Sequence, residues 1–179
     1  ANTQIANCER GKELTAHPQR HIGPRAFGES IINAISVGTA FILIGTIYVT
    51  TLPISLWDKM VDFFSSLTGS PVPGTAISLP APASPAAHAV LYNAVFQFCI
   101  GIAILQIILL ALRLMFKSSI SKTAETAGNL VYWFGASYLV ATFLNSSTTL
   151  TTWFAFWAAI LIVLGISLIA RAVVIFAKT

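Results

Sequence analysis

Residues 88–112 read HAVLYNAVFQFCIGIAILQIILLAL and decide the fold, because they contain no Asp, Glu, Lys or Arg. At about 1.5 Å per residue, a helix of this length is roughly 37 Å long, whereas the hydrocarbon core of a bilayer is about 30 Å thick. Arg113 follows directly and ends the apolar run. The stretch therefore predicts a helix that spans a membrane.

Three further apolar runs, at about 30–52, 124–144 and 152–170, predict three more spans. The whole chain is 56% hydrophobic and only 9% charged, whereas roughly a quarter of the residues of a soluble domain are charged. We therefore predict an all-α membrane protein in which residues 1–28 form a polar tail and residues 29–179 form a bundle of four transmembrane helices.

The segment that follows the first span predicts a short amphipathic helix at residues 55–67. Its apolar residues recur at helical spacing, and Ser55 followed by Asp58 resembles a capping box. The helix is too short to cross a membrane, so we expect it to lie in the interface of the outer leaflet. The expected interface anchors are the aromatic residues Trp57, Phe63, Phe64 and Trp153.

Residues 68–87 form a connection rich in Pro, Ala and Ser, without any charged residue. Its five prolines exclude a continuous helix and favour an extended, partly polyproline II loop. We place this loop on the outer side of the membrane.

The basic residues predict the orientation. Four lie in the N-terminal tail, three lie between the second and third spans, and two lie at the C-terminus, so that Lys59 alone is on the other side. Lys and Arg concentrate in cytoplasmic segments. The sequence thus predicts a multi-pass protein of the cell membrane with both termini in the cytoplasm.

Small residues recur every seven positions in three of the predicted spans, a spacing that keeps one face toward its neighbours in a left-handed bundle. Small residues are enriched where membrane helices approach closely. The expected packing positions are Gly38, Gly45, Gly128, Gly135, Ala158 and Gly165.

Polar residues of the second span allow a second interpretation. Asn93, Gln97 and Gln106 fall within an otherwise apolar segment. They serve either helix packing or a polar path through the membrane. A hydrated pore normally recruits more polar residues than these, which favours packing.

The polar tail contains three residues that bind metals in other proteins. Residues 7–14 resemble half of a zinc-ribbon knuckle that begins at Cys8, and His17 and His21 are weak candidates for further ligands. A structural zinc site uses four protein ligands, and the second cysteine of the knuckle is missing. We therefore predict no metal site.

No constellation of catalytic or cofactor-binding residues is recognisable. No ionisable residue falls in the middle of a predicted span, and His88 has no partner histidine for haem ligation. We expect His88 to cap its helix or to face solvent. The net charge of +4 comes from basic residues that flank apolar runs, which favours the lipid bilayer over nucleic acid as partner.

Two hypotheses of function follow. The first is a non-catalytic structural or accessory subunit of a larger membrane complex, of the respiratory or oxidase type, whose partners are other membrane-protein subunits. The alternative is an oligomeric channel or carrier for a small solute, with its path along the second span.

Overall fold

A computed structural model describes residues 24–51 and 55–177, with side chains from residue 30 onward. The described chain is mostly helical. Its helices are α1 (Pro24–Thr50), α2 (Leu56–Ser65), α3 (Ala89–Met115), α4 (Ile120–Phe143) and α5 (Leu150–Phe176). Two strands, β1 (Leu67–Pro71) and β2 (Ser78–Pro82), and a 3₁₀ turn at Pro85–His88 connect α2 to α3.

Three of the helical segments are long and apolar enough to cross a membrane, namely Ser30–Thr50, Pro85–Met115 and Leu150–Phe176. This finding indicates membrane association. The helix α4, which covers the predicted third span, is not among the three. Its first two turns contain Ser121, Lys122, Thr123 and Glu125, which lower its hydropathy.

The helices α3 and α4 run antiparallel. The rings of Phe98 and Trp133 are 5.9 Å apart, and near the opposite ends of the two helices the guanidinium of Arg113 donates to the backbone carbonyl of Lys122. Residue numbers therefore rise along one helix as they fall along the other.

The helix α5 follows α4 in the same antiparallel manner. The Ser167 hydroxyl donates to the backbone carbonyl of Gly128 over 2.8 Å, and Gly135 lies against Val163. This places α4 between α3 and α5, which themselves run in parallel. The short loops at 116–119 and 144–149 connect the three helices.

The first helix is attached chiefly to α3. Ile32 is buried together with Ile102 and Leu105 of α3, and the side chain of Leu43 occupies the notch at Gly101. A Cβ atom at Gly101 would lie 2.5 Å from Leu43 Cδ1, so a larger residue at this position would require the Leu43 side chain to move.

The proline-rich connection contains an antiparallel hairpin rather than only the predicted extended loop. At its turn, the N–H of Thr75 donates to the Val72 carbonyl over 3.0 Å and Gly74 has a φ of 78°, so that Pro73 and Gly74 take the central places of a type II turn. The strands pair Leu67 with Pro82 through Pro71 with Ser78.

The prolines of β2 are compatible with strand pairing because both occupy positions whose backbone groups point away from β1. The Ala83 N–H donates to the Ser66 carbonyl over 3.0 Å. In this register, the backbone N–H and C=O groups of the odd-numbered residues of β2 point toward β1. Pro80 and Pro82 consequently fall where an N–H would point away from the partner strand. The missing donors therefore cost the hairpin no hydrogen bond.

Candidate functional site at the hairpin end of the bundle

Packed aromatic rings join α2, α3 and α5 where the hairpin packs on the bundle, a region that we call the hairpin end. The ring of Trp153 lies 5.9 Å from Phe63 and 6.3 Å from Tyr92. Tyr92 and Trp153 are 3% and 5% exposed, and Ala81 of β2 is fully buried in the same cluster. The cluster thus fastens α2 and the hairpin to the helices.

His88 is buried beneath α2, with 4% of its surface exposed, and does not face solvent, which was one of its two expected positions. It stands at the N-cap position of α3, but its side chain makes no capping hydrogen bond. Its Nε2 lies 3.1 Å from the Ser66 hydroxyl, and the Phe63 ring packs edge-on against the imidazole. Burial follows because α2 and β1 fold back over the start of α3.

Three buried polar atoms of the hairpin end have no hydrogen-bond partner among the described residues: His88 Nδ1, the Tyr92 hydroxyl and Trp153 Nε1. His88 Nδ1 lies 3.9 Å from the Asp62 carboxylate, within reach of an ion pair but beyond hydrogen-bond distance. An unpaired buried donor or acceptor typically costs about 1–3 kcal/mol. The hairpin end therefore combines aromatic packing with buried polar atoms.

An apolar groove of about 730 Å³ lies on one side of the cluster. Its walls are formed by α2, the hairpin and the first turns of α5, through residues that include Phe63, Phe64, Leu79, Trp157, Ala158 and Leu161. Nearly all of its surface consists of carbon atoms. We refer to it below as the apolar groove.

A smaller cleft of about 330 Å³ lies between the start of α3 and the loop from α4 to α5. Tyr92 and Asn93 form its wall on α3, and Asn145 and Ser146 form its wall on the loop. Polar and apolar atoms contribute almost equally to this surface. The cleft is therefore suited to water or a small polar group.

The residues of the predicted polar path do not share one cavity. Asn93 lines the smaller cleft described above. Gln97 and Gln106 are half-buried further along α3 and do not line this cleft. The structure thus places one of the three residues at a recess of the hairpin end.

The four expected interface anchors lie in two different environments. Trp57 and Phe64 are largely exposed, with 64% and 63% of their surfaces accessible. Phe63 is half-buried against the bundle, and Trp153 is buried within it. The helix α2 therefore packs part of its apolar face against α3 and α5, and the rest of that face is exposed on the protein surface.

The expected packing positions are also divided. Gly128 and Gly135 of α4 face α5, where an added Cβ would lie 3.1 Å from the Ser167 carbonyl and 2.6 Å from Val163 Cγ1, respectively. Gly38, Gly45 and Gly165 have no atom within 4 Å of such a Cβ, and Ala158 is exposed. The contact face of α5 is instead formed by larger residues, including Trp153, Phe156, Val163 and Ser167.

The candidate metal ligands Cys8, His17 and His21 lie outside the described residues. Within 24–51 and 55–177, no three His, Cys, Asp or Glu residues are grouped as a metal ion would require. Comparisons of the chain with protein-family models, curated proteins and solved structures found no match.

Proposed function

We propose that the protein is a non-catalytic subunit of a larger integral-membrane complex, that it spans the cell membrane four times, and that α1 binds a partner helix. Respiratory or oxidase-type assemblies are the kind of host that we consider first. Both termini are proposed to be cytoplasmic, with α2 and the hairpin at the outer surface.

The course of α4 supports a fourth span. Since α3 and α5 run in parallel and each is long enough to cross the membrane, the chain has to return across the bilayer between them. The helix α4 has 24 residues, or about 36 Å, and the loops at its two ends are short. Packing between α3 and α5 compensates for its lower hydropathy, because many of its side chains are buried in protein.

The observation that carries the subunit proposal is the orientation of α1. Its bundle-facing residues Ile32, Leu43 and Ile47 lie on one side of the helix. Gly38 and Gly45 lie on the opposite side at about 100° of rotation per residue, where nothing approaches within 4 Å. Small residues on membrane helices permit close approach of a second helix, and lipid alone gives no reason for them.

Arrangement of the polar residues on α3 argues against the carrier alternative. A transport path requires polar groups that line one continuous cavity. Gln97 and Gln106 do not line the cleft to which Asn93 belongs. The subunit proposal therefore has the better geometric support.

Labelling of single cysteines is expected to report the proposed orientation. In a chain whose Cys8 and Cys99 are replaced, cysteine at Ser78 or Ser147 should react with a membrane-impermeant maleimide added to intact cells. Cysteine at Ser119, which is also exposed, should react only after the membrane is opened. Labelling of Ser119→Cys from outside would contradict the four-span arrangement.

Bulky side chains at Gly38 and Gly45 of α1 are expected to release the proposed partner helix. Native electrophoresis of mild-detergent extracts should show the wild-type chain in a species larger than the chain alone. The double variant Gly38→Ile/Gly45→Ile should migrate as the free chain, since branched side chains hold the partner backbone away.

The matched control is Gly165→Ile, which introduces the same side chain into equally open space on α5. It should leave the large species intact, and thermal unfolding of all variants in detergent should remain similar. Solute flux in vesicles of the purified wild-type chain that is lost on Gln97→Leu would instead identify a carrier and overturn the proposal.

A further inference from the structure

The apolar groove has the size and the lining of a ligand site. Its volume of about 730 Å³ lies within the range of small-molecule sites, roughly 300–1,000 Å³. Three separate elements form its walls, which include Phe64 of α2, Leu79 of the hairpin and Leu161 of α5. Water in such a recess would meet almost no hydrogen-bonding group, so an apolar occupant is favoured.

The groove continues into the outward surface of α5. Leu161, at one end of the groove, is 67% exposed, and the next residues along the same surface, Ile162 and Leu168, are exposed as well. Since α5 is apolar enough to cross a membrane, this surface lies against lipid hydrocarbon. A hydrocarbon chain can therefore enter the groove sideways without passing a polar surface.

The lining of the groove selects a hydrocarbon chain and does not select a headgroup. The helix α2 contributes Phe63 and Phe64 to one wall, whereas its charged residues Asp58, Lys59 and Asp62 are exposed outside the groove. The Asp62 carboxylate lies 3.9 Å from His88 Nδ1, and His88 does not line the groove. The occupant is therefore identified by its hydrocarbon chain alone.

We propose that the groove holds one hydrocarbon chain of a membrane phospholipid from the leaflet around the hairpin end. The chain fills the space between α2, the hairpin and α5. The proposal depends on membrane association and not on the subunit role, so either can fail without the other.

Lipid retention tests the proposal. The full chain is reconstituted in vesicles of phosphatidylethanolamine and phosphatidylglycerol in equal amounts, extracted again in mild detergent, and analysed by native mass spectrometry. Wild type should retain about one phospholipid molecule per chain. Ala158→Phe, which places a ring in the groove, should retain about tenfold less, the equivalent of roughly two lost methylene contacts.

The control is Ala155→Phe, an exposed position of α5 that is not part of the groove wall. It should retain lipid as wild type does, and both variants should unfold at similar temperatures. Equal retention by Ala158→Phe and wild type, or absence of bound lipid in wild type, would overturn the proposal.

Discussion

Replacement of Trp153 with alanine is expected to lower the free energy of unfolding by about 3–5 kcal/mol, the usual cost of truncating a large buried aromatic side chain. The indole is 5% exposed and contacts the rings of Phe63, Tyr92, Phe156 and Trp157. Its loss removes the common neighbour of α2 and α3 at the hairpin end. Denaturant titration of the purified chain in detergent, followed by far-ultraviolet circular dichroism, measures the change.

The control for this prediction is Trp157→Ala, because Trp157 lies one turn further along α5 with half of its surface exposed. Truncation of this ring should cost clearly less than truncation of Trp153. Trp153→Phe should fall between the two, since it preserves an aromatic ring at the centre of the cluster. Similar losses for the two alanine variants would show that the aromatic cluster does not fasten the hairpin end.

Gly135→Leu is expected to destabilise the contact of α4 with α5 by about 1–3 kcal/mol through overpacking. Even the first added carbon would lie 2.6 Å from Val163 Cγ1 and 3.1 Å from Val163 Cγ2. Valine is branched at Cβ and cannot easily rotate both methyl groups away. The same denaturant titration should therefore show a lower midpoint for Gly135→Leu.

Gly165→Leu is the matched variant, with the same change in helix propensity on the adjoining helix. Since nothing lies within 4 Å of a Cβ at Gly165, the substitution should leave the midpoint unchanged or raise it slightly. The two glycines resemble each other in sequence, and only the packing geometry separates them. A larger loss for Gly165→Leu than for Gly135→Leu would contradict the observed faces of α4 and α5.

The helical segments could be predicted because hydropathy is a local property. An uncharged run such as 88–112 needs no knowledge of its neighbours to favour a membrane helix, and the segment Pro85–Met115 is indeed long and apolar enough to span. The hairpin was not predicted, because prolines argue against strand pairing unless the register turns them away from the partner strand, and hydropathy does not report the register. The dipeptide Pro73-Gly74 was the available local signal, because this pair favours the type II turn that the structure contains.

The directions in which side chains face were harder to predict than the helices. The seven-residue stripe of Ala158 and Gly165 suggested the contact face of α5, yet the contact is made by larger residues such as Phe156 and Val163. They fit because α4 supplies the small residues, with Gly135 opposite Val163. Small residues on one helix suffice for close approach, and one sequence does not say which helix provides them.

The burial of Trp153 has a similar cause. Tryptophan near the end of a membrane helix favours the interface in general, so an exposed anchor was the natural expectation. Here α2 and the hairpin fold over the ends of α3 and α5, so that Trp153 and His88 become interior residues. The position of α2 and the hairpin over these residues is a result of tertiary packing. The sequence around Trp153 and His88 does not indicate it.

The modest hydropathy of α4 has a consequence for biogenesis. A segment with Lys122 and Glu125 in its first turns partitions into lipid less readily than its two neighbours. In the four-span arrangement, we expect α4 to leave the insertion machinery together with α3, against which Trp133 packs on Phe98. In a nascent chain that stops before α5, a smaller fraction of molecules should then hold α4 across the membrane than in one that includes Leu150–Phe176, because α5 shields the second face of α4 from lipid.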